Sequence, residues 1–243
     1  RGAARNRRQT YSGDVAQRGI CMTVYLHALP KRRLGAKALA PWTDIRSPIA
    51  TDAMHKANAL DAAIRPIKPG YLMLGQALTV RAMAGDITPL LHALSVAQAG
   101  DVLMVDAGGY ADNAVLGGNM TTEAMRLGLA GLVIDGAIRD VAEIRDQGIP
   151  CFTRAITPSG PNFSYIGDVG APISCGGVQV KTGDLVIGDD DGITVVPKTR
   201  LTEVLGACQD TLKAEAEWDR RIKLGEKFSD ILDLTPMEPA SFK

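Results

Sequence analysis

Apolar positions along the chain alternate between two periods, and that alternation predicts the architecture. Ala77-Leu78-Thr79-Val80-Arg81 and Val102-Leu103-Met104-Val105-Asp106 are short apolar or β-branched runs bounded by glycine, proline and aspartate, the signature of buried strands. Between them Leu90 to Ala97 carries helical periodicity, and Gly100-Asp101 turns the chain. A third unit follows, with a helix over Thr121 to Leu127, a turn at Gly131, a strand over Leu132-Val133-Ile134-Asp135 and a short helix from Asp140 to Gln147. Upstream, Ser47-Pro48 and then Thr51-Asp52-Ala53-Met54 read as a capped helix start, with the helix running to about Ile64 before Pro66 and Pro69-Gly70 break it. Strands alternating with helices place the chain in the α/β class with a parallel or mixed sheet.

Past Pro150 the pattern changes. Phe152-Thr153, Gly177-Val178-Gln179-Val180, Asp184-Leu185-Val186-Ile187 and Ile193-Thr194-Val195-Val196 are short strands separated by glycine and aspartate turns. Thr157-Pro158-Ser159-Gly160-Pro161-Asn162 reads as a surface loop, and Leu201 to about Leu224 as a long amphipathic helix carrying Glu215, Glu217, Arg220 and Arg221. Two β/α layers sharing one core account for this order better than two independent domains. The domain is expected over 45–230, between a partly flexible N-terminal extension (1–44) and a C-terminal tail (231–243).

With 243 residues and 46% hydrophobic content, the chain can bury a full core without disulfides or a structural metal. Lys plus Arg equals Asp plus Glu at 27 each, which disfavours nucleic acid and acidic membranes as partners. Cys21, Cys151, Cys175 and Cys208 are scattered, with no CxxC pair, as expected of reduced thiols in a cytoplasmic protein. No apolar run approaches the ~20 residues of a membrane-spanning helix. Arg1, Arg5, Arg7 and Arg8 could belong to a targeting arm or a loose tail.

The candidate chemistry lies in the middle of the chain. Gly117-Gly118-Asn119-Met120 immediately precedes a predicted helix, where free amides and the helix dipole attract an anion and glycine allows close approach. Twenty-one positions after Gly118 comes Arg139-Asp140-Val141-Ala142-Glu143. These residues fall beyond the carboxyl end of a predicted strand, the usual place for ligands in open α/β sheets. Arg139 can fork to a carboxylate or to a developing enolate oxygen, and Asp140 is a hard oxygen ligand suited to Mg²⁺ or Mn²⁺. The bland reading is that Asp140 caps the following helix and Arg139 pairs with Glu143 on the surface.

The stretch from Gly117 through Asp140-Val141-Ala142-Glu143, with Thr157-Pro158, Gly183-Asp184-Leu185 and Asp189-Asp190-Asp191-Gly192, resembles the RraA-like family of class II pyruvate aldolases. The resemblance spans roughly residues 45–230 and implies a layered α/β/β/α sandwich of the swivelling type with mixed sheets. It further implies divalent-metal-dependent retro-aldol cleavage of a 4-hydroxy-2-oxo acid to pyruvate and a second carbonyl compound, with oxaloacetate decarboxylation alongside. On that basis the backbone of Gly117, Gly118, Asn119 and Met120 would bind the substrate carboxylate, and Arg139 would contact the 2-oxo oxygen. Asp140 would anchor the metal, with Glu215 reaching the metal's water shell from a neighbouring subunit of a trimer or hexamer. Gly118 stands where many of these aldolases carry an acidic residue, so an acid that orients metal-bound water is expected to be missing. Some members of the fold family resemble regulators of an RNA-degrading endonuclease, and a scaffold that only binds 2-oxo acids is a further alternative.

Other candidates carry less. Val102 to Tyr110 has an incomplete version of a methyltransferase glycine loop. His27, His55 and His92 lie on separate segments, His92 reading as a core or interface residue. Asp189-Asp190-Asp191-Gly192 reads as a hairpin turn, and Cys151 has no base near it in sequence.

Overall fold

Val102 to Val105 and Leu132 to Ile138 are buried at every position, as strands of a parallel sheet covered on both faces must be. The computed structural model describes residues 23–31, 33–163 and 166–238. Strands of its first half are β1 (Val24–Leu26), β2 (Arg65–Pro66), β3 (Met73–Arg81), β4 (Asp101–Asp106), β5 (Ala114–Leu116) and β6 (Gly131–Ile138). The second half adds β7 (Cys151–Ile156), β8 (Gly167–Val169), β9 (Ile173–Cys175), β10 (Val178–Val180), β11 (Leu185–Asp189) and β12 (Gly192–Val196). The helices are α1 (Ala36–Leu39), α2 (Ser47–Asp52), α3 (Thr88–Val96), α4 (Gly118–Arg126), α5 (Val141–Gln147), α6 (Leu201–Lys223) and α7 (Phe228–Ile231). The chain is α/β with a large mixed sheet, as the element order predicts.

That sheet runs β1-β8-β3-β4-β6-β7-β2, with β3, β4, β6 and β7 parallel at its centre. β3 organises it, because β4 pairs along one edge while the other edge is shared between β11 near Met73–Gln76 and β8 at Val80–Arg81. The gap between β11 and β8 is closed by the turn at 181–184. Ala77 donates its amide to Asp184 O at 2.8 Å, and Gly183 donates to Ala77 O at 2.9 Å. The hairpin β9–β10 packs on β3 and β4 through β9. The main core gathers Leu78, Leu103, Met104, Leu132, Ile134 and Phe152. A second cluster (Trp42, Ile49, Ile187, Val196, Val204, Cys208) joins α2 and α6 to β11 and β12.

One expectation is corrected here. The helix expected over 51–64 is instead the short α2, which starts at Ser47 with Pro48 in its first turn. Ser47 donates its amide and its hydroxyl to the Asp189 carboxylate at 2.7 and 2.6 Å. After Asp52 the backbone enters left-handed conformations at His55, Lys56 and Asn58, so no helix can continue and Ala59 bridges to Thr194. The apolar spacing of Leu60 and Ile64 serves the core from irregular chain.

Part of the extension expected over 1–44 packs on the domain. Residues 23–44 contribute β1, paired with β8, and Trp42, which is buried. They also contribute Arg33, whose Nε and Nη2 donate to the fully buried Asp101 carboxylate at 2.7 and 3.1 Å. The early arginines and Cys21 lie outside the described residues.

Candidate active site

The strand read as ending at Asp135 continues through Gly136-Ala137 to Ile138, so Arg139 and Asp140 follow directly from β6. β5, too short to announce itself in sequence, lies beside the end of β6, and the Arg139 amide donates to Leu116 O at 3.0 Å. This pairing brings the Gly117-Gly118 turn against Arg139-Asp140. Asp140 adopts φ 57° and ψ 34°, a left-handed conformation that costs a side-chain-bearing residue about 1–2 kcal/mol. It turns the chain sharply into α5. The Asp140 carboxylate then accepts the Gly118 amide through Oδ2 at 3.1 Å. Asp140 therefore caps α4 and makes no side-chain cap bond to α5. Arg139 stands by Asp140, with Nε 3.6 Å from Oδ2, and their side chains are 43% and 42% exposed, accessible to a ligand. The bland reading of an α5 cap and an Arg139–Glu143 pair is thus not what the chain adopts.

Neither glycine of the turn has positive φ; what both supply is room. A Cβ on Gly117 would sit 2.5 Å from Asp140 Oδ2 and 3.3 Å from the Arg139 Nε. A Cβ on Gly118 would collide with the Glu143 carboxylate, whose Oε1 lies 2.5 Å from that position. The room that Gly118 leaves is filled by the carboxylate of Glu143, in the first turn of α5. Glu143 is steadied by Gln147, whose Nε2 donates to Glu143 Oε1 at 3.2 Å and to Thr122 Oγ1 at 2.9 Å. Gln147 Oε1 in turn accepts from Thr121 Oγ1. This Thr121–Gln147–Thr122 belt was missed in sequence, although Gln147 stands at i+4 from Glu143 on the same helix face.

Around these groups lies a cleft of about 460 Å³, within the ordinary range for small-molecule sites. Gly117, Gly118, Asn119, Met120, Arg139 and Asp140 all line it, so the structure brings together every site residue expected within one protomer. Ile87 and Leu91 from the start of α3, and Gly160, Pro161 and Phe163 from the predicted loop, complete the walls. A second recess of about 350 Å³ lies against Arg139 and Asp140 from the side of Ile156, Thr157 and Pro158. The loop is tied in place by Asn113, whose Nδ2 donates to Ser159 Oγ at 2.9 Å and to Gly160 O at 2.7 Å. Thr157 adds an amide bond to Ile138 O at 3.0 Å. Glu215 is elsewhere, exposed on the second half of α6, and does not line the cleft.

Among the described residues no group of three or more His, Cys, Asp or Glu could hold a metal. The exposed Asp140 carboxylate in the cleft wall does not make a zinc site, but it fits Mg²⁺ or Mn²⁺, which take one or two carboxylates and keep several waters; Glu143 lies beside Gly118 and is not among the residues lining the cleft.

The remaining candidates have structural roles. Asp189 receives Ser47 and the Asp191 amide within the β11–β12 hairpin, as a turn residue. Cys151 is fully buried, and burial pushes its thiol up to about 12, out of reach of nucleophilic chemistry at neutral pH. His92 is exposed on α3 and so is not a core residue, and His55 is exposed in the left-handed turn. His27 Nε2 lies 2.7 Å from the buried Asp168, which also accepts from Arg81. Burial raises the Asp168 carboxyl, but hydrogen bonds and charge from His27 and Arg81 outweigh it and hold the group below the usual carboxylate value. Gly108 and Gly109 form a left-handed turn capped by Asp106, away from the cleft.

The family model described as Aldolase/RraA, RraA-like, matches residues 47–195, more than half of the chain. The chain belongs to the RraA-like family. The matched span holds the whole Gly117–Glu143 arrangement but ends before α6. An RraA-like relative from Halalkalibacterium halodurans, 37% identical over 171 residues, carries the provisional name 4-hydroxy-4-methyl-2-oxoglutarate aldolase; the match covers 70% of this chain and 80% of that one. A Thermus thermophilus protein named 4-hydroxy-4-methyl-2-oxoglutarate aldolase is 31% identical, over 64% of this chain and 94% of that one. Among solved structures, Streptomyces coelicolor RraAS2, described as an unusual member of the RNase ES inhibitor RraA family, superposes with a TM-score of 0.72 at 29% identity, over 78% of this chain and all of that one.

Proposed function

We propose that this RraA-like protein is a divalent-metal-dependent pyruvate aldolase. It cleaves a 4-hydroxy-2-oxo acid to pyruvate and a second carbonyl compound, and decarboxylates oxaloacetate as a side activity. The observation that carries this reading is the convergence of the Gly117–Gly118 turn, Arg139, Asp140 and Glu143 at the end of β6. The names of the relatives from H. halodurans and T. thermophilus support the aldolase chemistry.

Asp140 would hold the Mg²⁺ or Mn²⁺. When bound, the cation supplies Lewis-acid polarisation of the 2-oxo group. The first turn of α4, at Asn119 and Met120, receives the substrate carboxylate at the positive end of the helix dipole. Arg139 forks onto the 2-oxo oxygen and stabilises the negative charge that gathers there as the C3–C4 bond breaks. Glu143 takes the 4-hydroxyl proton, directly or through one water, the oxygen becomes the carbonyl of the departing fragment, and the bonding pair is left as a pyruvate enolate. Protonation at C3 then releases pyruvate. Oxaloacetate reaches the same enolate by losing carbon dioxide. No Schiff-base lysine is required.

Glu215 lies on the half of α6 that carries no buried residue, and this reading assigns it to the site of a neighbouring subunit in a trimer or hexamer with sites between protomers. Among the described residues no helix is long and apolar enough to cross a membrane. A cytoplasmic location, expected from the scattered cysteines, belongs to this reading.

The decisive test is pyruvate release from oxaloacetate and from 4-hydroxy-2-oxo acids with Mg²⁺ and then with EDTA. Asp140→Ala is expected to abolish the metal-dependent rate, while Asp140→Asn should retain the α4 cap and lose the rate as well. An Asp140→Ala protein with full metal-dependent activity would refute the assignment. The description of RraAS2 favours a second reading, binding to and inhibiting an RNA-degrading endonuclease without turnover. Absence of metal-dependent turnover together with inhibition of such a nuclease would support it.

A further inference from the structure

The polar and apolar groups of the cleft come from different parts of the fold. The β6–α5 junction and the first turn of α4 provide Arg139, Asp140 and the glycine amides, whereas α3 and the loop provide Ile87, Leu91, Pro161 and Phe163. Leu91 and Phe163 are 42% and 56% exposed in the single protomer, which leaves this apolar wall open for a ligand to cover. Among the described residues lining the cleft, Arg139 is the one cationic side chain, and Asp140 stands 3.6 Å from it.

We propose that the site selects 2-oxo acids whose far end is uncharged and apolar, against those that carry a second carboxylate. This rests on the reading that Arg139 and α4 hold the oxo-acid end. Among the described residues lining this protomer's cleft, a carboxylate placed against Ile87, Leu91 and Phe163 loses water and meets no counter-charge, which disfavours it, while an alkyl group there is buried at no such penalty. An unpaired buried charge is an effective means of rejecting the wrong partner. The selectivity departs from the dicarboxylate in the names of the relatives. Oxaloacetate, whose 4-carboxylate meets the same wall, should turn over with a high KM.

The test compares two near-isosteric substrates, 4-hydroxy-5-methyl-2-oxohexanoate and 4-hydroxy-2-oxoglutarate, which place an isopropyl group and a carboxylate at the same position. With the Mg²⁺-loaded full chain, kcat/KM from pyruvate release should favour the isopropyl compound by about tenfold or more. Leu91→Arg, which adds a cation on an exposed position, should narrow or reverse that ratio. Titration calorimetry with 5-methyl-2-oxohexanoate and 2-oxoglutarate, which cannot undergo the cleavage, reads the same preference from binding alone. Tighter binding of the alkyl compound without cleavage of either hydroxy acid would sink the aldolase reading and leave the selectivity standing. Cleavage with equal or better use of the dicarboxylate would overturn the selectivity and leave the aldolase reading, and no binding of either oxo acid would overturn both.

Discussion

Replacing Gly118 by alanine separates the catalytic role of Glu143 from any role in folding. The new Cβ would fall on the Glu143 carboxylate, closer still to Oε2 and Cδ than to Oε1 at 2.5 Å, and ordinary contact begins at 3.4 Å, so the carboxylate must retreat by about 1 Å or more. Glu143 can do so cheaply, because it is an exposed residue with one side-chain hydrogen bond, from Gln147 at 3.2 Å. Losing that bond costs about 0.5–1.5 kcal/mol. Alanine at the first residue of α4 regains roughly 0.5–1 kcal/mol of backbone entropy relative to glycine. Denaturant midpoints of the variant and the parent should therefore agree within about 1 kcal/mol. Catalysis should respond very differently, because displacing a reacting group by about 1 Å can lower the rate by about a hundredfold. The assay is metal-dependent pyruvate release under saturating substrate, run for Gly118→Ala, for Glu143→Gln and for the double variant. If Glu143 acts from the place that Gly118 vacates, each single change lowers kcat by a similar factor and the double variant falls little further. Full activity in Gly118→Ala, or multiplicative losses in the double variant, would falsify the assignment of Glu143 as the proton acceptor.

Two further outcomes concern the frame that holds the site. Arg33→Ala strips the counter-charge from a carboxylate that is fully buried at the start of β4, and should destabilise the protein by about 3–5 kcal/mol in chemical denaturation; a change under about 1 kcal/mol would refute the clamp. Asp168 has a folded-state value below its ordinary 3.8, so its contribution to stability is complete above that pH and is lost as pH falls toward the folded value. Between neutrality and pH 3 the stability of the parent should fall more steeply than that of Asp168→Asn, and parallel curves would exclude His27–Asp168–Arg81 as the source.

Much of the α/β order was legible because strand and helix periods are local properties. The runs at 77–81, 102–106 and 132–135 all become central strands, and Leu90 to Ala97 overlaps α3. The helix over 51–64 failed because apolar spacing cannot distinguish a helix from irregular chain that delivers Leu60 and Ile64 to the same core. Arg139 and Asp140 were legible as candidates by their place beyond a strand's carboxyl end, but only the family resemblance set them above a helix cap and a surface ion pair. The loop at 157–162 was legible as a loop, but its place in the cleft wall was not.

By itself, then, the sequence determined the element types, the parallel character of the central strands and the residue types offered at the end of β6. The tertiary structure alone decided which distant segments share a space. Three-residue strands such as β1 and β5 are too short to carry a period, and only their partners make them strands. The left-handed turn at Asp140 and the pairing of Leu116 with Arg139 bring two segments about twenty residues apart into contact, and there Gly118 acquires its meaning. In the sequence it is an absent acid. In the fold it is the room that the Glu143 carboxylate fills, because a missing Cβ carries information only once its neighbour is known.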